Sequence, residues 1–222
     1  MAKSRDKPYV HVSWLSKILS GTNHCEWAYW FKSHYTSKKR ASSNQYLGSD
    51  SQITHTAMIK KQKQELEDDG YSVFVEDQNK FNWEGNIAVL GGTPDIVGIS
   101  PEDNLIVDLK SGTESPSHEV QLLIYMWALP LEKRFQKQHA DRKFRGLLVY
   151  KDYFRFIENS KLTSKFIKGV TDLIKRLSGD QPLSKTPSSR ECNFCDISDE
   201  DCEDRFKEDL IEAPDPSENK FF

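Results

Sequence analysis

Gly91-Gly92-Thr93-Pro94-Asp95 and Val107-Asp108-Leu109-Lys110 decide how this chain is read. Two acidic residues and a lysine lie within sixteen positions, each at the end of an apolar run. Ile87-Ala88-Val89-Leu90 precedes the first segment, and Asn104-Leu105-Ile106-Val107 leads into the second. Both runs are short and rich in β-branched residues. Gly85-Asn86 stands before them and Ser100-Pro101-Glu102-Asp103 between them, so the two runs are expected to form adjacent strands of a hairpin. Strands paired in this way bring Asp95 and Asp108 together at one edge of a sheet. Two such carboxylates repel each other unless a cation sits between them, and oxygen ligands suit Mg²⁺ or Mn²⁺. Lys110 follows Asp108 by two residues and so projects from the same face of its strand, within reach of a water or phosphate on that ion. The chemistry implied is metal-assisted phosphodiester hydrolysis.

Working outward, Ser13 is expected to cap a short helix over 14–19, which Ser20-Gly21 ends. A second helix is expected over 25–34, a loop over 38–50 and a helix over 51–69 that stops at Gly70. Alternating residues 71–76 begin the sheet, and 81–84 continue it. A helix follows over 117–129, ended by Pro130; then come a strand pair, 145–151 and 153–158, and a closing helix over 164–177. Residues 178–190, rich in Pro and Ser, read as a linker segment. The fold class is α/β with an open central sheet. On the helix after Lys110, Gln121 and Tyr125 are four apart and share one face, with His118 on the same side.

The 222 residues suit one domain with elaborations. The net charge of −3 is unevenly spread: residues 196–222 carry eleven acids against three bases, leaving 28 bases against 23 acids in the rest. Lys38, Lys39, Arg40, Lys60 and Lys61 belong to a basic stretch able to neutralise a phosphate backbone, although a solvated helix face gives the same pattern. No run approaches the ~20 apolar residues needed to cross a bilayer. The first residues lack the apolar core of a secretion signal. A cytoplasmic protein is therefore expected, in which the four cysteines are not disulfides.

Cys25 stands alone, whereas Cys192, Cys195 and Cys202 cluster as C-x2-C-x6-C. A four-cysteine metal site explains this better than free buried thiols do. Zinc and a 4Fe–4S cluster both accept four thiolates. The long reach from Cys25 favours the cluster, and zinc stays open as the alternative. Either would fasten the N-terminal helix to the C-terminal segment.

Pro94-Asp95, then Asp108-Leu109-Lys110, then Gln121-Leu122-Leu123-Ile124-Tyr125 resemble the PD-(D/E)XK motif and the QxxxY motif of RecB-type nucleases. Gly92-Thr93-Pro94-Asp95 fits the family's GxxD. One cysteine before the core and three after it resemble the iron–sulfur branch, which includes the CRISPR-adaptation exonucleases and the AddB nuclease domain. The resemblance spans roughly residues 12–202. It implies a restriction-endonuclease-like core, a central mixed sheet flanked by helices, with the N- and C-terminal segments joined at a metal cluster. Residues 1–205 would be one nuclease domain; residues 206–222 match no motif of the family, and their acidic, proline-containing composition is what makes a disordered tail the expectation. The resemblance further implies catalytic Asp95, Asp108, Lys110, Gln121 and Tyr125. Mg²⁺ or Mn²⁺ would be held by His55, Asp95, Asp108 and the Leu109 carbonyl, and a 4Fe–4S cluster by the four cysteines. The expected activity is a DNA exonuclease working on single-stranded ends, with CRISPR integrase proteins as partners. A non-catalytic DNA-binding or scaffold subunit of the same fold is the alternative.

Overall fold

The computed structural model describes residues 2–38, 40, 45–132 and 143–206. Lys39 and the acidic tail from residue 207 onward lie outside the described residues. Among the described residues no helix is long and apolar enough to cross a membrane.

The strands are β1 (Lys3–Ser4), β2 (Tyr9–His11), β3 (Tyr35–Thr36), β4 (Ser72–Val75), β5 (Phe81–Glu84), β6 (Val89–Gly92), β7 (Ile96–Ile99), β8 (Asn104–Lys110), β9 (Arg145–Tyr150) and β10 (Phe154–Ile157). The helices are α1 (Val12–Leu19), α2 (Glu26–His34), α3 (Gln45–Asp68), α4 (Pro116–Ala128), α5 (Ser164–Leu177) and α6 (Ser189–Phe194). The central sheet runs β10-β9-β8-β7-β4 and is mixed, because β8 pairs antiparallel with β7 and parallel with β9. A three-stranded sheet, β2-β6-β5, lies alongside, and β1 pairs with β3.

Strand β8 is central and buried along its length except at Lys110. Such a strand is apolar on both faces, and its side chains divide between two cores. Leu105, Val107 and Leu109 pack with Ile59 and Leu66 of α3. Ile106 packs on the opposite face with Leu122, Leu123 and Met126 of α4 and residues of α1, α2 and α5. Period-two alternation therefore puts Asp108 and Lys110 on the α4 face. The architecture is helices on both sides of a mixed sheet, as the sequence implied.

One pairing differs from expectation. The partner of β8 is not the run Ile87–Leu90 but Ile96–Ile99, with Ile96 opposite Val107 and Ile99 opposite Asn104. Residues Val89–Gly92 instead form β6, paired with β2 and β5. The physical cause is Pro94, which has no N–H for a ladder and ends one strand, so the chain changes sheets between Gly92 and Ile96. Two boundaries also shift. His11, whose ring nitrogen accepts from Ser13 N at 3.2 Å, caps α1 in place of Ser13. Helix α3 begins at Gln45, inside the expected loop.

Helix α4 owes its start to Ser115, whose hydroxyl accepts from Ser117 N, and to Pro116 at the first helical position. It sits tightly on β9. A Cβ at Gly146 would stand 2.7 Å from Leu122 Cδ2 and 2.9 Å from Met126 Sδ. Gly146→Ala therefore lifts α4 off the sheet and is expected to cost roughly 1–3 kcal/mol, read as a lower midpoint of urea unfolding. An unchanged midpoint would contradict this close approach.

Candidate active site

Asp95 sits in the link between β6 and β7, and Asp108 near the end of β8. The structure brings them together: Asp95 Oδ2 accepts from Leu109 N at 2.7 Å. The link is held from three sides. Tyr125 Oη donates to Thr93 O at 3.3 Å. Asn79 Nδ2 donates to Pro94 O at 3.2 Å, and Glu76 N donates to Asp95 O at 2.9 Å. Glu76 has a φ of +44°, a left-handed conformation that a non-glycine residue adopts at some cost. Asn79 is fully buried and also donates to Phe74 O at 2.9 Å. Sequence reading passed over it, because an asparagine in a polar stretch carries no periodic signal.

Asp108 is 2 % exposed. Its Oδ2 lies 2.6 Å from Lys110 Nζ, an ion pair, and no donor meets that oxygen in hydrogen-bonding geometry. Burial pushes the Asp108 carboxyl up to about 6, against the opposing pull of the Lys110 ammonium; the Asp95 charge adds to the rise. Lys110 Nζ donates to Gln121 Oε1 at 3.2 Å, and Gln121 Nε2 donates to Tyr125 Oη at 3.2 Å. One chain of contacts thus runs from Asp108 through Lys110 and Gln121 to Tyr125, and from there back to the Asp95 link. Burial holds the Tyr125 phenol well above its ordinary pKa, so it remains a donor.

His55, on α3, reaches the same place from the other side of the sheet. Its Nε2 lies 3.3 Å from Asp95 Oδ2. That hydrogen bond raises the imidazole pKa, with burial opposing it. His118 on α4 meets Tyr150 Oη at 3.0 Å. Burial, followed by the Lys110 charge, lowers His118 to about 4 and leaves it neutral.

The structure therefore collects His55, Asp95, Asp108, Leu109, Lys110, Gln121 and Tyr125 at one end of β8. The donor types, two carboxylates and an imidazole with one carboxylate oxygen buried and met only by an ammonium, are those a hard divalent ion takes, although the three do not converge tightly enough in this arrangement to form a closed metal site. The basic residues are not gathered there. Lys38, Arg40, Lys60 and Lys61 are exposed, and Lys61 pairs with Glu65 at 3.7 Å within its own helix.

The four cysteines line a second place, a cavity of about 500 Å³ between α1, α2 and the C-terminal segment. Cys25 caps α2. Two residues unnoticed in the sequence bind the halves of this region. Glu191 accepts from His24 N at 2.9 Å and from Cys25 N at 3.1 Å. Buried Arg205 donates to the carbonyls of Cys192, Cys195 and Ile197. Phe206 N donates to Cys192 Sγ at 3.4 Å, a contact suited to a thiolate ligand. Among the described residues, no three His, Cys, Asp or Glu side chains converge tightly enough in this arrangement to hold a metal ion. Trp27, which lines the cavity, and Trp30 are buried core residues.

The model of the PD-(D/E)XK nuclease superfamily matches residues 19–199. A solved structure described as the crystal structure of SSO0001 is similar with a TM-score of 0.47 and 14% identity, over 92% of this chain and 90% of that one. No curated protein matches.

Proposed function

Since the chain belongs to the PD-(D/E)XK nuclease superfamily, we propose that it is a metal-dependent deoxyribonuclease acting as an exonuclease on single-stranded ends. One observation carries the reading: buried Asp108 paired with Lys110 on one strand, against Asp95 held to the next residue's amide. A scaffold protein has no use for a buried carboxylate whose burial opposes its ionisation.

Asp95, Asp108, His55 and the Leu109 carbonyl would hold Mg²⁺ or Mn²⁺. The ion, when bound, acidifies water and neutralises charge on the phosphate. The chain's own groups do the rest. Lys110 orients the attacking water or meets the charge building on phosphorus. Gln121 fixes the ammonium, and Tyr125 fixes Gln121 and the Asp95 link at once. Exposed Lys38, Arg40 and Lys60 would add charge along the DNA path.

We read residues 1–205 as one nuclease domain of the RecB type, working in the cytoplasm. Cys25, Cys192, Cys195 and Cys202 would hold a 4Fe–4S cluster, with zinc as the alternative. The shared cavity and the amide aimed at Cys192 Sγ support a thiolate site. A role in trimming DNA for CRISPR adaptation, beside integrase proteins, follows from the likeness to that branch alone.

The test is digestion in Mn²⁺ of end-labelled linear, blocked-end and circular single strands. Loss of the free linear strand with the circle spared is the expected result. Cutting of the circle would make the protein an endonuclease, and no cutting of any substrate would favour the scaffold.

A further inference from the structure

The hairpin of β9 and β10 lies directly against the strand that carries Lys110. In the parallel register Lys110 is opposite Tyr150. Side chains at paired positions rise on the same face, and neighbouring strands are about 4.8 Å apart, so the Tyr150 ring stands next to the lysine. On that face it meets His118 of α4, with ring centroids 5.9 Å apart. At the turn, Tyr150 N donates to Tyr153 O at 2.8 Å, and the Tyr153 ring stacks on Tyr150 at 4.6 Å with only 14° between planes. Tyr153 Oη donates to Glu114 Oε2 at 2.8 Å, which fixes the outer ring to the loop following Lys110. A row of three rings thus leads from α4 to the surface, with Tyr150 5% exposed and Tyr153 47% exposed.

We propose that Tyr153, backed by Tyr150, is a stacking platform for the nucleobase next to the phosphate held at Asp95, Asp108 and Lys110. The proposal rests on the nuclease reading and adds the feature that would select unpaired ends. A hairpin turn needs no aromatic side chain, and an exposed tyrosine seldom has its ring fixed by both a stack and a hydrogen bond. Fixed in advance, the ring loses little freedom when a base lies on it. Every base has a π-face, so the platform is indifferent to sequence, but a base in a duplex already has its faces covered. Exposed Lys151 shares the turn. Arg155 does not serve as a free cation there, being paired with Glu114 at 3.4 Å and Glu119 at 3.2 Å.

The experiment uses the full chain and a linear oligonucleotide carrying 2-aminopurine at its terminal position. Tyr153→Ala is expected to raise KM about ten-fold with little change in kcat, and to abolish the fluorescence quenching seen on binding. Tyr153→Phe, which loses only the contact with Glu114, is expected to keep both. Unaltered KM and quenching in the alanine variant would overturn the proposal. So would a phenylalanine variant that behaves like alanine, since the hydroxyl rather than the ring would then matter. A wild-type chain that quenches but hydrolyses nothing would defeat the nuclease reading and leave the platform standing.

Discussion

Asp108→Asn is expected to slow hydrolysis by about 10²–10³-fold while raising the thermal stability of the metal-free protein. The first effect follows from removing a proposed charged ligand: one preorganised electrostatic contact at a reacting phosphate is worth roughly 3–4 kcal/mol, and 1.36 kcal/mol is tenfold. The second follows from the buried position. The folded-state pKa of Asp108 is raised to about 6, against about 3.9 for an unfolded aspartate. The folded chain therefore holds this proton more tightly than the unfolded one. Stability is highest below pH 4 as far as this group is concerned, and falls as pH rises from 4 through 6. Asparagine resembles the protonated acid and escapes that loss, roughly 3 kcal/mol above pH 6, or several degrees in Tm for a chain of this size. Melting in EDTA at pH 7.5 and pH 4 separates the effects, because the advantage of the variant should vanish at the lower pH. A less stable variant at pH 7.5 would show that the ion pair with Lys110 outweighs the cost of burying the Asp108 charge.

Cys25→Ser is expected to empty the proposed four-cysteine centre and lower Tm by roughly 10 °C. No disulfide joins Cys25 to Cys192, and a cross-link closing a loop of more than 100 residues contributes about 4–5 kcal/mol in the chain-entropy model. Glu191 and Arg205 would keep the segments together more weakly, by hydrogen bonds alone. Metal analysis with the absorption spectrum reads the outcome. Broad absorption near 400 nm in the parent and its loss in the variant would identify the iron–sulfur form. A full metal complement in the serine variant would remove Cys25 from the ligand set.

Much of the site was legible because its spacing is local. Asp108 and Lys110 share a face by the two-residue period of a strand, and Gln121 and Tyr125 by the four-residue period of a helix; the structure joins all four in one chain of contacts. Helix α5 was readable at both ends, since Thr163 caps it and Val170, Leu173 and Leu177 recur on one buried face. Strand partnership was not. The run Ile87–Leu90 looks as suitable a neighbour for β8 as Ile96–Ile99, because an apolar run says that a strand is buried and not beside what. Only the proline between them hinted at the change of sheet. The parallel pairing of β2 with β6, eighty residues apart, leaves no local trace at all. Nor do Asn79, Glu191 and Arg205, whose partners are mainly backbone groups in other segments.

The clasp of Glu191 on the amides of His24 and Cys25 has a consequence for synthesis on the ribosome. At about 5–20 residues per second, the start of α2 leaves the tunnel on the order of ten seconds or more before its closing partner exists. During that interval a helix rich in tryptophan and tyrosine has no cover from the far end of the polypeptide. Holdase chaperones should meet the nascent chain there, and any truncation before residue 191 should be born sticky.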